Sequence, residues 1–174
     1  PYSITYDANG ATGGTAPVDP SSPYIEGASL TILGNTGIMV NTGYQFTGWN
    51  TSPDGSGFGL LAGDVILMPA FDVILYAQWA PVYSVTYDGN NATSGTVPVD
   101  ASSPYTPAST VTVKTNSGTL ARTGFTFAGW NTAADGSGTD YAADGTSSFI
   151  ISDNTTLYAK WTAPVTYNAN SATS

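Results

Sequence analysis

The chain contains neither cysteine nor histidine among its 174 residues. Without cysteine there is no disulfide and no thiol chemistry, and without histidine the usual proton carrier near neutral pH is missing. The two absences together also remove the common zinc ligands and the common groups that activate a nucleophile. Nucleophilic sites that depend on cysteine or histidine, and the common zinc sites, are therefore excluded.

Positive charge is also scarce. Lys114, Arg122 and Lys160 are the only basic residues, against 12 acidic residues, and the net charge is −9. Three cations cannot build the basic patch that nucleic acid binding requires, so we expect no nucleic acid partner. An anionic membrane surface would repel the chain, and no apolar run reaches 18 residues, so we expect no direct membrane insertion.

The chain repeats itself. Residues 2–7 return as residues 83–88, and the central segment 46–51 also returns 81 positions later. The closing segment 75–79 returns 82 positions later, so the second copy has one additional residue. A third copy begins at Val165, which leads us to expect a piece of a longer array. Tandem arrays are typical of display or spacing rather than catalysis.

Each copy is large enough to fold alone, but a domain of about 80 residues buries only about 60–65% of its unfolded surface. Without disulfides the core must rely on aromatic packing, for which the chain supplies 4 Trp, 11 Tyr and 6 Phe. We predict one domain over 1–80, a second over 81–162, and the first strand of a truncated third repeat over 163–174. The linker 80–82 is short and contains proline, which predicts an elongated arrangement of the two domains. Because strands run from the opening tyrosine to the closing tryptophan of each copy, we expect the chain to enter and leave each domain at opposite ends.

Apolar and polar residues alternate through most of both copies, which predicts half-buried strands. Asn-Gly and Asp-Gly pairs between these runs indicate turns. The absence of helical periodicity leaves room for at most one helical turn, near 141–144 or 22–28. The predicted strands are 2–7, 14–18, 29–33, 44–50, 64–68 and 73–79 in the first copy, and 83–88, 95–99, 110–114, 125–131, 147–151 and 155–161 in the second.

The central segment of each copy places a glycine directly before a tryptophan. Strict alternation would put Phe127 and Trp130 on opposite faces of their strand. A β-bulge at Gly129, or at Gly48 in the first copy, would return the tryptophan to the core side. We therefore predict a bulge at both glycines.

Two loops, 54–57 and 135–138, have the sequence Asp-Gly-Ser-Gly. If their first glycine is aligned with the invariant glycine of an EF-hand calcium loop, the bidentate acidic ligand falls on Leu61 or Ala142. A tight turn in which the aspartate bonds its own backbone explains the same residues. We favour the turn and expect no metal site and no cofactor.

The glutamate and the lysines that catalysis would need are not shared by the two copies. Glu26 is the only glutamate and corresponds to Pro107, whereas glycoside hydrolysis needs two acids across a cleft. Lys114, which a serine–lysine pair would need, corresponds to Leu33, and a lysine–asparagine isopeptide bond could involve only Lys114 or Lys160. The aspartates that correspond lie at predicted strand ends or turns: Asp7 and Asp88, Asp19 and Asp100, Asp54 and Asp135. We predict no catalytic residue and no enzyme activity.

The recurring aromatic residues allow two interpretations. They could form a platform on which sugar rings stack, or they could form the core of each domain. Their recurrence at equivalent strand positions favours the core, because a domain of this size most needs large buried side chains. The residues are Trp49, Trp130, Tyr6, Tyr87, Trp79 and Trp161.

Together these segments resemble the Listeria–Bacteroides repeat, the family that includes the B repeat of the internalins. The resemblance rests on an opening Ile/Val-Thr-Tyr-Asp at 4–7 and 85–88, a central Gly-Tyr/Phe-x-Phe-x-Gly-Trp-Asn-Thr at 43–51 and 124–132, the two Asp-Gly-Ser-Gly loops, and a closing Leu-Tyr-Ala-x-Trp at 75–79 and 157–161. It implies a compact β-grasp-like domain repeated along a secreted or wall-attached bacterial surface protein. It implies no catalytic residue and leaves the ligand open.

We therefore expect a mostly-β fold, β-grasp-like with minimal helix, in two tandem domains. The expected function is that of a non-catalytic spacer, which projects or presents an adhesive region at a bacterial cell surface or cell wall. The alternative is a binding module whose exposed aromatic side chains hold a carbohydrate or a host protein. The expected partners are neighbouring repeats of the same chain, with a host surface protein or glycan as a further partner.

Overall fold

The computed structural model describes residues 1–165. The chain folds into two compact units, Pro1–Val82 and Tyr83–Ser174, the second of which is described as far as Val165. All but the first three residues of the strand predicted over 163–174 lie outside the described part. Within that part every regular element is a strand, which confirms the mostly-β prediction, while the β-grasp comparison stays a prediction.

Both units have the same six-strand plan. In the first unit the strands are β1 (Ile4–Asp7), β2 (Ser29–Thr31), β3 (Tyr44–Asn50), β4 (Gly59–Leu60), β5 (Val65–Leu67) and β6 (Val73–Pro81). In the second unit they are β7 (Val85–Asp88), β8 (Thr110–Thr112), β9 (Thr126–Asn131), β10 (Asp140–Tyr141), β11 (Ser148–Ile150) and β12 (Thr155–Thr162).

The first and last strands of each unit lie side by side and run parallel. Ile4 pairs with Val73 in the β1–β6 ladder, and Val85 pairs with Thr155 in the β7–β12 ladder. The four-stranded sheets have the orders β1-β6-β3-β4 and β10-β9-β12-β7, and β2-β5 and β11-β8 form two-stranded sheets. Because the terminal strands are parallel, the chain enters each unit at one end of the ladder and leaves at the other, as predicted.

The predicted strands 14–18 and 95–99 are wrong. Only isolated bridges form near them, between Gly13 and Val40 and between Ser94 and Ala121. Each segment contains a proline, which cannot donate to a ladder, and the valine that follows it is more than four-fifths exposed. The helical turn considered near 141–144 or 22–28 is also wrong, since neither segment is helical.

The sequence analysis also missed β4 and β10, the two-residue strands that extend each sheet at one edge. A pair of residues is too short to show any alternation, so periodicity could not have found them. They are defined instead by their pairing with the ends of β3 and β9.

The predicted bulges are present in both units. In the first, Phe46 pairs with Trp79 and Gly48 pairs with Gln78, so Thr47 is the additional residue. Gly48 has φ of 142°, and a Cβ there would lie 2.8 Å from the carbonyl oxygen of Leu60. Only glycine fits this position without displacing the neighbouring strand.

The bulge turns the tryptophan that follows it into the core. Trp49 is 1% exposed, and its ring packs edge-on against Tyr6 and Phe46 at centroid distances of 4.7 and 5.1 Å. Its indole N–H donates to the carbonyl oxygen of Leu33 at 2.8 Å. Trp130 repeats this arrangement and is fully buried. The core interpretation is confirmed for both tryptophans, for Tyr6 and for its counterpart Tyr87.

Trp79 and Trp161 lie nearer the surface than predicted. Both are half-buried and pack edge-on against the phenylalanines of the bulges, Phe46 and Phe127, at 5.7 and 5.6 Å. The indole N–H of Trp79 donates to the backbone oxygen of Asn9 at 3.0 Å. These rings therefore cover the edge of the core rather than fill its centre.

Replacing Trp130 by Ala should cost about 3–5 kcal/mol of unfolding free energy, because a large cavity would remain in a small core. Replacing the half-buried Trp161 by Ala should cost less. Urea unfolding of the two variants, followed by circular dichroism, measures the difference. Equal costs would contradict the assignment of Trp130 to the centre of the core and of Trp161 to its edge.

Candidate functional site

A polar cavity of about 240 Å³ opens on the second unit. It lies between the turn after β7, the loop after β9 and the end of β12. Its walls include two of the three cations of the chain, Arg122 and Lys160, together with Asn90, Asp135 and the half-buried Trp161. A small polar ligand could enter it.

Most polar groups of this cavity are already engaged. Asn90 donates from its amide to the carbonyl oxygens of Ala134 and Ala159, at 2.8 and 2.9 Å. Lys160 pairs with Asp140 at 2.5 Å. Within residues 1–165 Arg122 has no acidic side chain within salt-bridge distance, and its guanidinium lies 4.2 Å from the centre of the Phe125 ring.

The positive charge of this cavity is absent from the first unit. Asn41 and Gln78 occupy the positions that correspond to Arg122 and Lys160. The sequence analysis missed the cavity because these two cations are far apart along the chain. One signal in the sequence could have drawn attention to Arg122 and Lys160, namely that the first copy has uncharged residues at both positions.

The Asp-Gly-Ser-Gly loops are tight turns, as predicted. Asp54 accepts hydrogen bonds from the Ser56 N–H at 3.1 Å and from the Ser56 hydroxyl at 2.7 Å, and Asp135 accepts the same pair from Ser137. These bonds lower the pKa of both aspartates below the ordinary value. In residues 1–165 no three acidic side chains converge where they could hold a metal ion.

A buried asparagine fixes each of these loops. The amide of Asn131 donates to the carbonyl oxygens of Gly136 and Gly138, at 3.2 and 3.1 Å. Its oxygen accepts from the N–H groups of Ala133 and Gly138, at 2.8 and 3.0 Å. Asn50 donates in the same way to the first loop. The asparagine of the Trp-Asn-Thr segment is therefore a structural residue, a role that the sequence analysis did not assign.

The remaining residues considered for catalysis are dispersed. Glu26 is exposed in a turn of the first unit, where it has no acidic counterpart across a cleft. Lys114 pairs with Asp100 at 3.1 Å, while Lys160 pairs with Asp140 on another part of the same unit. Within residues 1–165 both lysines are therefore held by aspartates, and neither ammonium group is hydrogen-bonded to a serine.

Asp100 lies in a buried polar cluster of the second unit. Its carboxylate accepts hydrogen bonds from the Tyr105 hydroxyl at 2.7 Å and the Ser102 N–H at 3.0 Å. Burial raises the pKa of Asp100, but these bonds and the ammonium group of Lys114 outweigh it, so the pKa lies below its usual value. Asp19 and Tyr24 form the same pair in the first unit at 2.8 Å.

The repeated sequence has a counterpart among known proteins. The family model of the Listeria–Bacteroides repeat domain matches residues 2–78 and again residues 83–160. The chain belongs to the Listeria–Bacteroides repeat family. The matched segments contain the bulge glycine, the buried tryptophan and the loop-fixing asparagine of both repeats.

Two relatives come from Evansella cellulosilytica. The chain is 37% identical over 166 residues to a protein named "Putative Gly-rich membrane protein", and 32% identical over 169 residues to one named "Putative membrane protein". Each match covers 92% of this chain, which spans only about a fifth of the length of these curated relatives, 18% and 22%. No solved structure matches the chain. Within residues 1–165 there is no helix of the length and apolarity needed to cross a membrane.

High pH should destabilise the second repeat through Tyr105. Burial and the neighbouring Asp100 carboxylate raise the pKa of Tyr105 to about 12, whereas an unfolded tyrosine ionises near pH 10. Because the folded pKa is the higher one, this contribution is fully present below about pH 10 and is lost as pH rises through about 12. Urea unfolding across this range should show a smaller fall for Tyr105→Phe than for Tyr158→Phe, a control outside the cluster. Equal falls would contradict the assignment.

Proposed function

We propose that these repeats are non-catalytic structural modules of a bacterial surface protein, and that they space an adhesive region away from the cell envelope. The observation that carries the proposal is the path of the chain through each repeat. The chain enters beside Val73 and leaves at Pro81, about 25 Å further along β6. Each added repeat would therefore lengthen an array.

The chemistry of the repeats supports a structural role. The aspartates of the loops and the buried Asp100 are engaged in hydrogen bonds within turns, and two of the three cations are engaged in ion pairs within the repeat. Both relatives carry names of membrane proteins and are several times longer than this chain. These facts fit an extracellular array attached to a larger protein, with neighbouring repeats as its first partners.

A binding module is the second candidate, favoured by one observation. The cavity of the second repeat combines Arg122, which has no acidic partner within residues 1–165, with Lys160 and the half-buried Trp161, a combination suited to a carboxylate-bearing sugar. It ranks lower because the first repeat lacks both cations and because two of the four tryptophans, Trp49 and Trp130, are buried in the cores.

Small-angle scattering on chains of one, two and three repeats tests the proposal that the repeats act as a spacer. We expect the radius of gyration to rise almost in proportion to repeat number, because the linker is short and both repeats are acidic. Measuring at low and at 1 M salt separates linker stiffness from charge repulsion. A radius that grows as about the 0.38 power of chain length, as in a compact globule, would defeat the proposal.

A further inference from the structure

The terminal strands of each repeat are placed where a pulling force would act. In the β1–β6 ladder Ile4–Asp7 pair in parallel with residues 73–76, and in the β7–β12 ladder Val85–Asp88 pair with residues 155–158. Force applied to the chain ends pulls the two strands of a ladder in opposite directions along their length. All four residue pairs are then loaded together, so none opens before the others.

A side-chain oxygen reinforces the start of each ladder. The carboxylate of Asp72 accepts the N–H of Ser3 at 2.7 Å, directly before β1 and β6 begin to pair. In the second repeat the amide oxygen of Asn154 accepts the N–H of Ser84 at 2.8 Å. Aspartate and asparagine differ in charge, but both carry a side-chain oxygen that accepts this hydrogen bond. The two repeats therefore have the acceptor in common, and not the charge.

The far end of each ladder is also tied. The amide of Asn9 donates to the carbonyl oxygen of Ala77 on β6 at 2.8 Å, and the indole of Trp79 donates back to the oxygen of Asn9 at 3.0 Å. Asn90 and Trp161 make the same two contacts in the second repeat, both at 2.9 Å. In each repeat, side-chain hydrogen bonds therefore link the two strands just before the first pair of the ladder and just after its last pair.

We propose that these repeats have a further function as load-bearing modules, in which the paired first and last strands form a clamp that resists tension in shear. The physiological use of the clamp rests on the proposed spacer function, since a spacer comes under tension when the region it presents is held. The resistance itself depends only on the ladder. Scattering tests the spacing and force tests the clamp, so either can fail without the other.

Single-molecule pulling in two directions tests the clamp. The chain has no cysteine, so one introduced cysteine gives a unique attachment point. Pulling the full chain by its two ends loads both ladders in shear. Pulling between the N-terminus and Phe71→Cys, an exposed site directly before β6, instead peels β1 from β6 one pair at a time.

We expect the pull from the two ends to require clearly the higher unfolding force, with two steps that each lengthen the tether by about 240 Å as roughly 78 residues extend. Peeling from Phe71→Cys should lose most of that force. Equal forces in the two directions would overturn the proposal, because strength would then come from the core and not from the ladder.

A variant pair separates the clamp from general stability. Asn90→Gly with Asn154→Ala removes the two amide ties of the second repeat only, so the first repeat in the same molecule is the reference. Glycine is chosen at position 90 because Asn90 has φ of 45°, and the Trp161 bond to the backbone oxygen of that position stays. Forced unfolding is governed by the unfolding rate, so the double variant should split the steps into a weak and a strong class. Val111→Ala, in the buried centre of β8 and outside the terminal ladder, is the control. An equal loss of force in this control would contradict the clamp.

Discussion

A backbone bulge that turns one tryptophan toward the interior organises each repeat. Thr47 is left without a partner in the β3–β6 ladder, and this extra residue brings Phe46 and Trp49 onto the same face. Trp49 then touches Tyr6 on β1 and donates to the carbonyl of Leu33 beyond β2. One side chain thereby joins the first strand, the central strand and the segment that follows β2.

The second repeat shows which interactions this core does not require. It carries two ion pairs, Lys114 with Asp100 and Lys160 with Asp140, whereas the first repeat has no basic residue and folds in the same way. Lys160 and Asp140 are both substantially exposed, and such pairs contribute little to stability. The aromatic core, the asparagine-fixed loops and the terminal ladder are therefore what the two repeats have in common.

Much of this architecture could be predicted from the sequence, because it depends on patterns among residues that are close together in the chain. Alternation located the four longest strands, and the glycine before each tryptophan indicated the bulge. The strands predicted over 14–18 and 95–99 were wrong because alternation cannot show which face of a segment meets the core, and Val18 and Val99 are exposed. The cavity beside Arg122 depends on contacts between distant segments, which no local pattern records.

The central claim is that the tryptophan core and the terminal ladder of each repeat form one cooperative unit. Native-state hydrogen exchange by NMR tests it on two protons of the first repeat, the Trp49 indole N–H bonded to Leu33 and the Val73 amide bonded to Ser3. We expect both to exchange with the same opening free energy, that of global unfolding, because neither can open alone. Exchange of the Val73 amide at a much lower free energy, while the indole stays protected, would show that the ladder frays independently and would contradict the account.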